Sequence, residues 1–229
     1  FLVNSLEVSK FDNHEKTNSC ILNEFHSIYP STESYLNDLR MKIMTKIDQS
    51  KKIKSLSSNI FECFPDLITH LIGPDVLAQK GTNLVIQPPQ SSFFSELHAD
   101  APGNSEFELV VWIPMVNCYK GKSFYVIDKE NSINLLNSYR KGEFTSWDNF
   151  RSSSIPLAKE VDVPFGYALF FWSGLLHGSF VNTSNETRWS FNTRFKNSFS
   201  PCGIKDPFQY FFPIKISDLT KLALHSLKN

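Results

Sequence analysis

The sequence predicts a helix-buttressed antiparallel β-sandwich or jelly roll, and three observations carry that reading. The first third shows helical periodicity. From about Asn83 the pattern changes to short extended runs separated by Pro, Gly, Asn and Ser clusters, with no alternating crossover helices. Aromatic residues reach 14%, with 21 Phe, which suits a thick β-rich core or a deep apolar pocket better than a helix bundle. At 229 residues one core is the default, so a single domain over 1–229 is expected. Its parts are a mostly helical buttress (1–80), a jelly-roll core (81–200) and a C-terminal segment with a helix (201–229).

Taken in order, residues 33–49 carry Tyr35, Leu36, Leu39, Ile43 and Ile47 at three- and four-residue intervals, a helical stripe. Ser31 or Thr32 is its candidate N-cap, and Glu33 in the first turn suits the helix dipole. A second helix is expected over 66–72, after Pro65 and before Gly73-Pro74. Extended segments follow at 84–86, 106–113, 123–127, 167–172 and 188–196, the first ended by Pro88-Pro89. Tyr119-Lys120-Gly121-Lys122 reads as a solvated hairpin turn. The stretch 131–159 is polar and irregular, a candidate lid over a site. Helix returns only at 217–228, with Leu219, Leu222, Leu224 and Leu227.

Bulk composition excludes several function classes. Lys+Arg and Asp+Glu balance at 23 each, against nucleic acid or an anionic membrane as partner. No apolar run approaches the length of a bilayer span. The start, Phe1-Leu2-Val3, lacks the basic leader and long apolar run of a signal peptide, and it lacks Met, as a trimmed chain would. Cys20, Cys63, Cys118 and Cys202 form no Cys-x-x-Cys pair, which argues against a zinc site and for a reducing cytoplasm. A small molecule is the partner that remains. Nothing in the sequence calls for a homo-oligomer.

The chemistry is concentrated in His98-Ala99-Asp100 and His177. In an extended segment, residues i and i+2 project to one side, so His98 and Asp100 can face one ion. Taken alone, His-x-Asp is an ordinary polar loop. His177 changes the balance, because it emerges from the apolar run 165–176, where a buried imidazole needs a partner. Two imidazoles and one carboxylate bind one face of Fe(II) and leave positions open. Further on, strand alternation places Arg188, Ser190, Asn192 and Arg194 on one face and Trp189, Phe191, Thr193 and Phe195 on the other. That polar face either meets solvent or lines a cavity, and its position downstream of His177 favours the cavity. Arg188 with Ser190 can hold a carboxylate by a charge-assisted bond plus a hydroxyl bond. Arg194 is a weaker candidate for the same role, with a supporting position behind the site as its plainer reading. Gln87, before the proline pair, and Ser123, in Lys122-Ser123-Phe124-Tyr125, are candidate substrate contacts.

This order of His-x-Asp, distal His and Arg resembles the Fe(II)/2-oxoglutarate-dependent dioxygenases. The tail pattern His177-x-Ser179-x-x-Asn182-x-Ser184-x-x-x-Arg188 is similar to their phytanoyl-CoA dioxygenase-like branch. Leu97-His98-Ala99-Asp100, Gly103-Asn104-Ser105, the run 108–114 and Lys122-Ser123 resemble oxygenases of sporadic bacterial carbohydrate-biosynthesis clusters. The resemblance covers roughly 84–196, and Tyr167 departs from an Asp found after the turn Gly in many relatives. It implies a cupin-like double-stranded β-helix. It also implies Fe(II) on His98, Asp100 and His177, with 2-oxoglutarate and dioxygen as cosubstrates. The far carboxylate of 2-oxoglutarate would then pair with Arg188, and Ser179 would be its hydroxyl partner. The retained Asp100 favours hydroxylation of a small polar substrate, such as a sugar or sugar-linked biosynthetic intermediate, with desaturation and epimerisation as alternatives. Two readings from other classes stand beside it: a non-catalytic jelly-roll binding domain, and a cupin-type isomerase using zinc or manganese.

Overall fold

The computed structural model describes residues 18–49, 55–101 and 103–226. The apolar start and the final residues of the expected C-terminal helix lie outside these. Among the described residues four α-helices come first: α1 (Asn18–Asn23), α2 (Glu33–Asp48), α3 (Leu56–Cys63) and α4 (Pro65–Ile72). Thr32 is the N-cap of α2, its hydroxyl accepting from the Tyr35 N–H at 3.4 Å, and the helix buries Leu36, Ile43 and Ile47. Proline opens α4, and Gly73 ends it at φ +93°, a conformation glycine adopts without strain.

The strands are β1 (Val76–Gln79), β2 (Asn83–Gln87), β3 (Glu108–Pro114), β4 (Phe124–Val126), β5 (Lys159–Glu160), β6 (Leu169–Trp172), β7 (His177–Ser179), β8 (Arg188–Asn197) and β9 (Phe211–Lys215). In the larger sheet β3 lies between β6 and β8, the far edge of β8 takes β2 and β1, and β9 follows β1, all antiparallel. The smaller sheet runs β5-β4-β7, and β7 is extended by an isolated antiparallel bridge between His98 and His177. Take β2, the His98 bridge and β3 to β8 as successive strands of one unit. The first pairs with the last, the second with the next to last, and so inward, with pairs alternating between the two sheets. That pairing is a double-stranded β-helix, as the sequence predicts.

Packing follows from alternation along β8. Trp189, Phe191 and Leu84 face α1 and α2 within one apolar cluster, and the Trp189 indole donates to the Leu22 carbonyl at 2.9 Å. Phe195 and Val111 meet Ile60, Phe61 and Ile68 of α3 and α4. The opposite face of the larger sheet looks toward the smaller one, and a cavity of about 530 Å³ lies between them.

Several expectations need correction. Residues 131–159 are neither irregular nor a lid: they fall largely in α5 (Lys129–Arg140) and α6 (Trp147–Ser154). Fully buried Phe150, with Leu135, Leu136 and Ile155, packs on Leu97, Tyr125, Ile127 and Leu176 behind the smaller sheet. The polar composition misleads because these helices bury only a narrow stripe. Helix therefore returns before the C-terminus. The larger sheet also extends beyond 81–200, since β1 and β9 add to it. Lys122 is not solvated. Its ammonium, fully buried, donates to Glu186 at 2.5 Å and to the Asn23 side-chain carbonyl at 2.7 Å, tying α1 to the turn before β8. The last helices are α7 (Pro207–Tyr210) and α8 (Asp218–Ser226), and Leu219 and Leu222 of α8 are exposed rather than packed. None of the four cysteines is joined in a disulfide, and no helix among the described residues is long and apolar enough to cross a membrane.

Because Phe150 is the centre of the α5–α6 contact, Phe150→Ala should cost about 3–5 kcal/mol of stability in chemical denaturation. A change under about 1 kcal/mol would return these helices to the status of a loosely held flap.

Candidate metal centre

His98 and His177 are joined by reciprocal backbone hydrogen bonds of 2.9 and 2.8 Å. Residues directly opposite in an antiparallel pair share a face, so the two rings meet with centroids 4.3 Å apart. Asp100, two residues on, is held by its N–H to the Ser173 carbonyl at 3.0 Å. Candidate ligand atoms of His98, Asp100 and His177 all lie within 4.8 Å of one another. No other such cluster occurs among the described residues. Glycine permits the close approach of the flanking chain. A Cβ on Gly178 would lie 2.8 Å from the Ser95 carbonyl and 2.7 Å from the Tyr125 ring.

The donor set fits a divalent ion. The Nδ1 of His98 lies 2.7 Å from the Glu96 carbonyl, and that of His177 lies 2.8 Å from the Leu175 carbonyl. A carbonyl only accepts, so each Nδ1 carries the proton and each Nε2 keeps a lone pair for a metal. Burial first, and His98 second, pushes the His177 pKa down to about 4, which keeps that ring neutral and ligand-ready. Asp100 is gripped by Arg194, with Nη2 2.8 Å from Oδ1 and Nε 3.3 Å from Oδ2. Arg194 lines the cavity and orients the Asp100 carboxylate, which engages its guanidinium within the chain.

Arg188 opens β8 and is buried at 3% exposure. Its Nη1 donates to the Ser123 carbonyl at 2.7 Å and its Nη2 to the Ser179 hydroxyl at 3.0 Å, while Nε has no partner. Burial lowers its pKa to about 10, so it remains a cation at neutral pH; Glu160 attracts it from a distance, but no carboxylate among the described residues forms an ion pair with it. A buried guanidinium with no ion-pair partner among the described residues is costly, and this one lines the same cavity as the three candidate ligands. The turn that delivers it is built by the other residues of the tail pattern. The Asn182 amide donates to the Gln87 and Glu186 carbonyls at 2.9 and 2.8 Å, and its oxygen accepts from the Ser184 hydroxyl at 2.7 Å.

The structure therefore brings His98, Asp100, His177, Ser179, Arg188 and Arg194 to one cavity. It does not bring Ser190, Gln87 or Ser123 to the cavity wall. Ser190 faces inward but is fully buried with its hydroxyl unpaired. Gln87, directly across from Arg188, donates to the Phe180 carbonyl at 2.8 Å. The Ser123 hydroxyl donates to the Val161 carbonyl at 2.6 Å, and it is the Ser123 main chain that touches the site. Sequence reasoning missed the polar face of α2 (Glu33, Asn37, Arg40) and Asn83 as parts of the wall. Their spacing was readable, but nothing in the sequence said which surface that helix would cover.

No family model matches the chain, and no curated protein matches it. Among solved structures, the non-heme monooxygenase ThoJ in a nickel complex is 18% identical over 68% of this chain and 57% of its own, with a TM-score of 0.47. SnoK, a non-heme alpha ketoglutarate dependent carbocyclase from nogalamycin biosynthesis, is 16% identical over 62% and 59%, at 0.45. HygX from Streptomyces hygroscopicus, solved with nickel, 2-oxoglutarate and hygromycin B bound, is 11% identical over 59% and 62%, also at 0.45. The chain spans less than two thirds of each of these proteins. The strand pairing, not these likenesses, carries the fold.

Arg194→Met should leave Asp100 poorly oriented and weaken Mn(II) or Co(II) binding about 10–100-fold by calorimetry. Unchanged affinity would remove Asp100 from the ligand set.

Proposed function

We propose that this chain is a non-haem Fe(II)- and 2-oxoglutarate-dependent dioxygenase that hydroxylates a small polar molecule, such as a sugar or sugar-linked biosynthetic intermediate. One observation carries the reading: a buried arginine with no ion-pair partner among the described residues, in the same cavity as a facial pair of imidazoles and one carboxylate. Three ligands on one face suit Fe(II) with positions left open. A permanent cation at fixed depth suits a second, remote carboxylate, and a dicarboxylate keto acid has both ends. When bound, the iron with 2-oxoglutarate and dioxygen supplies the oxidising chemistry, which is the cofactor's own.

The chain's residues hold and orient. His98 and His177 present Nε2, each fixed by its backbone acceptor, and Arg194 aims Asp100. Ser179 accepts from Arg188, so its own proton is left to donate to a carboxylate lying against the guanidinium. Val110, Trp112, Phe124 and Phe171 line the same cavity and keep bulk water from the reacting centre. A metal isomerase has no use for the Arg188 anchor, which disfavours that alternative. A binding domain has no use for the metal ligands.

Anaerobic addition of Fe(II) and 2-oxoglutarate should give a weak visible charge-transfer band, and air should then release succinate. In Arg188→Met, 2-oxoglutarate affinity should fall roughly 10- to 150-fold, the loss of a charge-assisted hydrogen bond of about 1.5–3 kcal/mol, with metal affinity retained. A flat spectrum and no succinate from wild-type protein would favour the binding domain.

A further inference from the structure

Five buried side-chain polar atoms among the described residues have no hydrogen-bond partner: Gln87 Oε1, Glu108 Oε2, Arg188 Nε, Ser190 Oγ and Asn192 Oδ1. Only Arg188 and Asn192 also line the cavity. Arg188 is accounted for by the cosubstrate reading; Asn192 is not. It sits on β8 between the two arginines. Arg194 is taken by Asp100, and Arg188 by Ser123 and Ser179, so neither uses the Asn192 amide.

Directly across the sheet from Asn192 is Asn83 of β2. Opposite residues of antiparallel strands project from the same face with Cβ atoms about 5 Å apart. Both line the cavity, and neither side chain makes a hydrogen bond within the chain. The other cross-strand neighbour of Asn192 is Trp112, against which an apolar residue would pack without cost. An orphaned amide oxygen there costs about 1–3 kcal/mol, so a ligand donor is its physical explanation.

We infer that the Asn83–Asn192 carboxamide pair reads the primary substrate, and that the group it reads is neutral and both donates and accepts hydrogen bonds, a hydroxyl or an amide. A carboxamide offers one acceptor and two donors without charge, and two side by side match adjacent groups of that kind. Arg194 is paired with Asp100 and Arg188 is assigned to the cosubstrate carboxylate, which leaves no cation for a charged group at this point of the wall. Farther out, Glu33 and Arg40 of α2 supply opposite charges at the rim. The word substrate and the assignment of Arg188 rest on the oxygenase reading; the hydrogen-bonding chemistry of the pair does not.

The test is saturation-transfer NMR on the full chain with myo-inositol and N-acetylglucosamine, the second carrying an amide as well as hydroxyls. Glucuronate and glucosamine serve as charged counterparts. Wild-type protein should bind a neutral probe, and Asn83→Leu and Asn192→Leu should each weaken it roughly tenfold. Loss of the inositol signal assigns hydroxyls, and loss of the N-acetylglucosamine signal alone assigns the amide. The inference is overturned if no neutral probe binds, if the charged counterparts bind more tightly, or if both variants bind as wild type. Asn83 is exposed, so its variant keeps the test decisive should Asn192→Leu not fold. The Fe(II)–2-oxoglutarate band on the same proteins separates the two readings. Its absence from wild type, with asparagine-dependent binding intact, rejects the oxygenase alone. Its loss in either variant places that asparagine on the cosubstrate and overturns this inference.

Discussion

The two backbone hydrogen bonds between His98 and His177 are the constraint on which the site depends. They are short-range chemistry at long range in the chain, and they close the smaller sheet at the point where the cavity begins. Because cross-strand partners share a face, the same bonds that complete the β-helix bring the rings together. Asp100 then needs only two more residues of extended chain and one carbonyl, that of Ser173, to complete the set. The backbone pairing that closes the fold is thus also what assembles the candidate metal site.

β8 carries the second half of that logic. It pairs along one edge with β3 and along the other with β2 and β1, which leaves its side chains two destinations. The aromatic set goes to the helices, and Arg188, Asn192 and Arg194 go to the cavity. Helical packing from outside thus fixes the depth of Arg188 inside, and the fully buried Trp189 is the wedge between the two. A polar face in the centre of a sheet is costly for stability, and here it coincides with the place where a ligand would repay the missing hydrogen bonds.

Much of this was legible in the residues, for identifiable reasons. Strict alternation from Arg188 to Phe195 gave both faces of β8 before any fold was known, since period two survives any tertiary context. His98, Asp100 and His177 were legible because a buried imidazole and an i, i+2 ligand pair are hard to explain otherwise. The helices at 129–140 and 147–154 were not, because Asn and Ser dominate them and only Leu135, Leu136 and Phe150 mark the packed stripe. β1 and β9 were short, and their pairing is set by contacts distant in sequence. Lys122 misled for a different reason: a lysine between glycine and serine looks solvated, and only its meeting with Glu186 and Asn23 makes burial tolerable.

That buried ammonium has a consequence for how the first helix is regarded. Asn23 accepts from Lys122 through its side chain and from the Thr187 N–H through its main chain, at 2.7 and 2.8 Å, while Leu22 accepts from Trp189. Three clasps therefore run from two residues of α1, two of them to Thr187 and Trp189, which bracket Arg188, and one to Lys122, beside the Ser123 carbonyl that Arg188 also touches. A segment that looks like trim on the outside of the barrel works as a splint on the anchor arginine. Shortening the chain through Asn23 would leave the buried Lys122 with Glu186 as its remaining partner and slacken the cavity wall behind Arg188.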